Sequence, residues 1–381
     1  MITFNRPYAT GREFDYIQEA IDNLHLSGNG PFDARCAAWL QERTGAEQAF
    51  MTGSCTSALE MSMLLAGIGL GDEVIVPSFT FVSTASAVAM RGGTPVFVDI
   101  RPDTLNLDEV AVADAVTPKT KAIVAVHYAG VGAEMDALCE IARSSEVLLI
   151  EDAAQGIMAR YRKRPLGSFG SLACLSFHET KNVTCGEGGA LLVNDVALIE
   201  RAEIVQEKGT DRRAFNRGEV DKYTWVDLGS SFLNSEVAAA FLWAQLEAAD
   251  EITAARLAIW NSYHERFAPL EESGMLRRPV VPEHTEHNAH MYYLLLADRA
   301  ARDRVIADLA QADIQAVFHY VPLHSSPAGQ RFGRTAGSLP VTDEMSGRLV
   351  RLPLWVGMGE TEIDRVVAAV AASLRTSVPA P

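Results

Sequence analysis

Six short apolar runs recur between residues 72 and 194: DEVIVP (72–77), TPVFVD (94–99), KAIVAVH (121–127), VLLIED (147–152), LACLSF (172–177) and ALLVN (190–194). They are rich in β-branched residues, apolar nearly throughout, and bounded by Gly, Pro or Asp. Runs of this kind fit strands covered on both faces, as in a mainly parallel sheet between helices. Helical periodicity lies between them, as at 55–66, and the alternation gives the βαβ pattern of an α/β fold. Nearly every run ends in a polar or aromatic cluster: Pro77-Ser78-Phe79-Thr80-Phe81, His127-Tyr128, Asp152-Ala153-Ala154-Gln155 and Ser176. Open α/β sheets bind ligands outside the carboxyl ends of their strands, so four strand ends point to one site.

The pattern changes after about residue 235. An Ala-rich helical region (235–266) is followed by strand (290–297), helix (302–310) and strand (314–320). A last helix is expected over 361–375, with Ile363, Val366, Val367 and Val370 on one face and Thr361/Asp364 as a capping box. The tail from Thr376 to Pro381 is expected to fray. This predicts a large domain at 1–245 and a smaller C-terminal α+β domain at 246–381.

Composition excludes several roles. Lys plus Arg is 33 and Asp plus Glu is 49, a net charge of −16. So acidic a chain lacks the basic surface that nucleic acids require, and no nucleic-acid partner is expected. No apolar stretch reaches the ~20 residues of a membrane span, and the first residues carry no apolar signal segment. The five scattered cysteines read as reduced thiols, so the expected location is cytoplasmic. His284, His287 and His290 cluster in sequence without an acidic ligand set, and no metal is expected.

Only six lysines occur, at 119, 121, 163, 181, 208 and 222. Lys181 alone follows a buried strand and precedes a Gly-rich turn, in SFHETKN (176–182) and GEGG (186–189). Asp152 closes a neighbouring apolar run, which demands a buried or paired carboxylate. Gly53-Ser54-Cys55-Thr56-Ser57 is a small-residue turn entering a helix, and it offers backbone N–H groups to a phosphate. Phe79 and Phe81 supply a flat apolar wall. A lysine for a Schiff base, a carboxylate for a pyridine nitrogen, a phosphate cup and a stacking ring together specify pyridoxal 5'-phosphate. In this reading Lys181 bonds the cofactor and later moves protons at the substrate carbon. Asp152 keeps the ring nitrogen protonated. Ser54, Cys55 and Ser176 hold the phosphate, Phe81 stacks on the ring, and Gln155 reaches its phenolic oxygen. His127, Tyr128, His319 and Tyr320, at strand ends, are candidates to line a substrate pocket.

With these segments in place, the chain resembles the sugar aminotransferases of the DegT/DnrJ/EryC1/StrS family, of pyridoxal-phosphate fold type I. The resemblance is carried by TGSCTSALEMS (52–62), GDEVIVPSFTFVSTASAV (71–88), VFVDIRPDTLNLD (96–108), VAVHYAG (124–130), IEDAAQG (150–156), GSLACLSFHETKN (170–182), GEGGALLVND (186–195) and VFHYVPLHSSPAG (317–329). Within the family the chain is similar to enzymes making dTDP-4-amino-4,6-dideoxygalactose, through SFHETKN, EKGTDR (207–212), KYTWVDLGSS (222–231) and LWAQLEAAD (242–250).

The resemblance implies a large domain with a mainly parallel seven-stranded sheet and a smaller C-terminal domain. It implies a homodimer with its active site at the subunit interface, a dTDP-4-keto-6-deoxyhexose as acceptor and glutamate as amino donor. It carries cofactor roles to Lys181, Asp152, Gln155, Ser176, Phe81 and the turn Ser54, Cys55 and Thr56, and a place near the sugar nucleotide to His319. One departure stands out. Many relatives reach the partner's phosphate with an Asn, where this chain has Leu233. Ser230 or Ser231 is the candidate replacement. Arg212, Arg213, Arg331 and Arg334 are unranked candidates for the diphosphate, and the product's gluco or galacto configuration is open. Two rival readings are a dehydratase of the same family and a non-catalytic binder of the cofactor or a nucleotide sugar. Dehydratases replace the lysine that Lys181 retains, and a binder has no need of the full set.

Overall fold

A computed structural model describes residues 1–375 of the chain; the tail expected to fray lies outside the described residues. Each of the six apolar runs is a strand within a residue or so of its predicted ends: Glu73–Pro77, Thr94–Val98, Thr120–Val126, Leu148–Asp152, Leu172–Ser176 and Gly189–Val193. Two further strands join them. Gln48–Thr52 leads into the Ser54 turn, and Arg334–Thr335 pairs in parallel with Thr94–Val98. The central sheet therefore has eight strands rather than seven, the eighth being a two-residue edge strand donated from the C-terminal part.

Across the sheet the order is Gln48–Thr52, Gly189–Val193, Leu172–Ser176, Leu148–Asp152, Thr120–Val126, Glu73–Pro77, Thr94–Val98 and Arg334–Thr335. Gly189–Val193 runs antiparallel to both neighbours, and the remaining pairs are parallel. Nearly all strand residues are buried, because helices cover both faces. One core cluster holds Leu59, Val74, Val124 and Ile150; another, on the opposite face, holds Ile75, Ile123, Ala125 and Leu149. That odd–even split is the two-residue alternation of a strand buried on both sides.

The 235–266 region is two helices, Glu236–Glu247 and Ala249–Glu272, and the second leads into a separate C-terminal core. There Tyr292–Leu295, Leu349–Leu352 and Val317–Phe318 form a three-stranded antiparallel sheet packed on Arg299–Gln311 and Glu360–Arg375. The last helix begins at Glu360, so Thr361 and Asp364 do not form the expected capping box. Glu362 instead accepts the Gly359 N–H at 2.8 Å, and Asp364 pairs with Arg266. The predicted apolar face does bury Ile363, Val366 and Val370.

The three clustered histidines separate. His284 meets Glu134 (3.2 Å), His287 packs on the Trp260 ring (centroids 4.4 Å apart), and His290 bonds Asn182 (3.0 Å). Burial, with the His264 ring beside it, pulls His287 down to about 4. A base whose folded pKa is depressed favours the folded state above its unfolded pKa near 6.5. That stability is lost as the pH falls from about 6.5 toward about 4, where the unfolded chain binds the proton and the folded one does not. We therefore expect unfolding free energy to fall between pH 6.5 and 4.5. His287→Gln should flatten the slope by up to about 1.4 kcal/mol per pH unit, read by urea titration at stepped pH. An unchanged slope would show that His287 does not carry it.

Candidate active site

At the carboxyl ends of the parallel strands lies a cavity of ≈ 380 Å³. Its walls include Ser54, Cys55, Thr56, Phe81, Asp152, Gln155, Ser176, Lys181, His319 and Tyr320, so the structure brings these candidates together. The strand Leu148–Asp152 explains one of them directly. Consecutive side chains alternate faces, so Asp152 enters the cavity while Glu151 turns away from it. Asp152 is buried; its Oδ2 accepts from the Thr84 hydroxyl at 2.7 Å and its Oδ1 from the Ala154 N–H at 3.3 Å.

Ser54 caps the helix Cys55–Leu65 by accepting the Ser57 N–H at 3.1 Å. Its hydroxyl is thus engaged in the cap, leaving the N–H groups of Cys55 and Thr56 at the helix start without intrahelical acceptors. Gly189 packs so closely under this turn that a Cβ there would stand 2.4 Å from the Cys55 nitrogen. The glycine run of GEGG thus lets a strand lie directly beneath the phosphate-type turn. Thr56 shares a 2.8 Å hydroxyl contact with Ser83, and Ser176 is buried at the end of its strand.

Lys181 makes no side-chain hydrogen bond or ion pair with the described residues. Burial, helped by the Arg351 guanidinium, pulls its ammonium below the ordinary lysine range, and the Asp152 carboxylate opposes that. Gln155 is oriented on both sides: its Oε1 accepts the Ala129 N–H at 2.7 Å, and its Nε2 donates to the Tyr320 hydroxyl at 3.2 Å. Phe81, at the start of the helix Val82–Met90, stands at the rim and is 59% exposed.

Other candidates fall elsewhere. His127 is fully buried, bonds Glu151 through Nε2 at 2.9 Å and accepts the Ala133 N–H at 3.2 Å; it is a core residue, not a pocket wall. Tyr128 is likewise buried, one layer behind the cavity, with its hydroxyl 3.4 Å from His319. Phe79 is core as well, edge-on to Tyr128 and Tyr320, so of the two rings only Phe81 lines the cavity. These three belong to the strand ends, but the pleat and the chain's exit turn them inward. His319 stacks on Tyr320 (3.8 Å between centroids, 15°). Burial, then Arg351 and Lys181, pulls its pKa down to about 2, while burial pushes Tyr320 up to about 12. Thr84, Phe4 and Arg351 also line the cavity and were not singled out in the sequence; His290, noted there only as one of three clustered histidines, lines it too. Nothing in the local pattern of LVRLPL (349–354) marks Arg351, which reaches the site only through the C-terminal sheet.

The donor set fits pyridoxal phosphate. A buried carboxylate, an amine without a partner among the described residues, two open N–H groups at a helix start and an exposed ring meet in one cavity, where the carboxylate could pair with a protonated pyridine nitrogen instead of a protein cation.

Comparisons with known proteins agree with the architecture. The family model described as "DegT/DnrJ/EryC1/StrS aminotransferase family" matches residues 7–371. The chain is 35% identical over 372 residues to GDP-perosamine synthase of Caulobacter vibrioides, covering 97% of each chain. It is 32% identical over 381 residues to the spore coat polysaccharide biosynthesis protein SpsC of Bacillus subtilis, covering 97% of this chain and 96% of that one. Among solved structures, the aminotransferase TlmJ from Streptoalloteichus hindustanus superposes with a TM-score of 0.90 at 31% identity over 99% of both chains.

Proposed function

The chain belongs to the DegT/DnrJ/EryC1/StrS aminotransferase family and is pyridoxal-phosphate dependent, and on that premise we propose that it aminates a dTDP-4-keto-6-deoxyhexose to the dTDP-4-amino-4,6-dideoxyhexose with glutamate as donor. The observation that carries the reading is the unpartnered Lys181 amine in one cavity with buried Asp152. The dTDP acceptor is supported by the local segments SFHETKN, EKGTDR and KYTWVDLGSS.

When bound, the cofactor supplies an electron sink for the carbon that loses or gains a proton. The protein supplies the rest. Asp152, fixed by Thr84, offers an anion to the ring nitrogen. The Cys55 and Thr56 N–H groups and the Ser176 hydroxyl bind the phosphate. Gln155 donates toward the phenolic oxygen, and Phe81 covers the ring. Lys181, poised toward its neutral form by burial, takes and returns the proton at the substrate carbon. His319 and Tyr320 form the sugar-facing wall opposite.

A homodimer with a shared site is part of the proposal. Phe215, Tyr223, Trp225, Val226 and Leu228 are 41–74% exposed on one stretch, an apolar patch that a second copy would cover. Leu233 pairs with Thr52 beside the Ser54 turn, and Ser230 and Ser231 are exposed next to it. If Ser231 reaches a partner's phosphate, Ser231→Ala should weaken cofactor affinity by about 5- to 10-fold, the worth of one hydrogen bond. Unchanged affinity in an absorbance titration removes Ser231 from that role.

The test of function is incubation of the holoenzyme with dTDP-4-keto-6-deoxyglucose and glutamate, with the amino sugar read by mass and NMR coupling. Turnover only with a GDP-linked ketone would reassign the nucleotide.

A further inference from the structure

Lys181 has no side-chain bond with the described residues, so its reach is set by the backbone that carries it. Its N–H donates to the His178 carbonyl at 2.9 Å, and the next residue ties the turn down. Asn182 is buried and bridges two groups of the C-terminal part: Nδ2 donates to the Asn288 carbonyl at 2.8 Å, and Oδ1 meets His290 Nδ1 at 3.0 Å. Asn288, fully buried, extends the network. Its Nδ2 donates to the carbonyls of Gln155 and Ile157, both at 2.7 Å, and its Oδ1 accepts the His290 N–H at 3.0 Å. Gly130 leaves room for this amide: a Cβ there would stand 1.9 Å from Asn288 Oδ1. Arg256, also buried, holds the same segment by the carbonyls of Ala289 (3.1 Å) and His290 (2.8 Å). One buried network thus joins the residue after Lys181 to the backbone of Gln155.

The bonds also fix the state of each group. A backbone carbonyl only accepts, so Asn182 turns its NH₂ to Asn288 and its oxygen to His290. His290 therefore donates from Nδ1, and its ring is the neutral tautomer with Nε2 as acceptor. Burial, then the Lys181 and Arg256 cations, holds the ring well below the ordinary histidine range, in agreement with that form. An apolar contact would bury the same segment without fixing its register. Directional bonds fix it, because they weaken steeply with small changes in distance and angle. We propose that Asn182, held by His290 and Asn288, is a positioning residue that fixes the backbone from which Lys181 reaches the substrate carbon, an inference that rests on the role given to Lys181 above. Asn182 itself does not line the cavity, so it acts through its neighbour. A misplacement of about 1 Å can cost on the order of 10²-fold in rate. Because Lys181 moves the proton in both half-reactions, the network serves both alike.

Single-turnover experiments on the holoenzyme separate positioning from folding and from substrate binding. Glutamate should bleach the cofactor's visible band, and the keto sugar should restore it. In Asn182→Ala the maximal rates of both steps should fall by a similar factor of at least about 10. The concentrations of glutamate and sugar for half-maximal rate should stay within about 3-fold of wild type. The isotope effect of α-deuterated glutamate on bleaching should rise, because a misplaced amine slows proton transfer relative to the other steps. His290→Gln, whose amide falls at the Nε2 position, should behave like Asn182→Ala. His290→Asn keeps a donor near the Nδ1 position and should return to within about 3-fold of the wild-type rate. Lower urea midpoints with wild-type maximal rates and an unchanged isotope effect would make the network purely structural and overturn the proposal. A loss confined to one half-reaction would overturn it as well. If Asn182→Ala does not fold, the two His290 variants carry the test. If glutamate does not bleach the wild type, the transaminase reading fails on its own. The rate at which added pyridoxal phosphate bonds Lys181 in the cofactor-free chain then tests the positioning: it should fall at least about 10-fold in Asn182→Ala, and an equal rate would overturn the proposal.

Discussion

Lys181→Ala should abolish turnover, with kcat reduced at least about 10³-fold, because under the proposed function Lys181 is both the point of covalent attachment and the group that moves the substrate proton. Burial draws the Lys181 amine below the ordinary lysine range, which favours the neutral, proton-accepting form. The variant should fold normally, since Lys181 makes no side-chain hydrogen bond with the described residues that its loss would orphan. It should also lose the visible absorbance of lysine-bound cofactor. The other five lysines offer no substitute: none of them lines the cavity. A variant that keeps turnover would remove Lys181 from the centre of the reaction.

Glu151→Gln should have the opposite profile, with stability lowered by about 3 kcal/mol or more. Glu151 is fully buried on the far face of the strand that presents Asp152. Its two oxygens accept four bonds: from Gly167 N–H at 2.7 Å and His127 at 2.9 Å on one side, and from the N–H groups of Phe169 at 2.6 Å and Gly170 at 2.8 Å on the other. An amide must turn its NH₂ toward donors on one side and leave them unpaired. Asp152→Asn, one residue later, should cost less than about 1 kcal/mol, because the Thr84 hydroxyl can rotate to suit either group. It should nonetheless lose most activity. Urea midpoints and kcat measured on the two variants give the ranking; a destabilised Asp152→Asn with Glu151→Gln unaffected would contradict this division of labour.

That pair also shows how far the sequence could be read. IEDAAQG marked a buried carboxylate at a strand end, and the position of that end was enough to point Asp152 to the site. Nothing in it distinguished the partner loop, 167–170, that captures Glu151, because those contacts form only after the chain returns over the sheet. The large-domain strands were legible because both of their faces are covered, which makes them continuously apolar. Gln48–Thr52 was not among the strands read from the sequence, and the two-residue Arg334–Thr335 carries no pattern at all. His127 and Tyr128 were placed on the pocket because they end a strand. The structure instead turns both into the core, where His127 bonds Glu151 and Tyr128 backs His319. Arg351 illustrates the converse: an ordinary-looking arginine in LVRLPL becomes a cavity residue only when the C-terminal sheet packs against the strand ends.

The central claim is that this cavity transfers an amine from an amino acid to a nucleotide-linked keto sugar. Incubating the holoenzyme with glutamate and dTDP-4-keto-6-deoxyglucose, while following 2-oxoglutarate and the amino sugar together, tests it most directly. Equal amounts of both products, with neither formed by Lys181→Ala, are expected. Glutamate left unconsumed, or a sugar product lacking nitrogen, would contradict it.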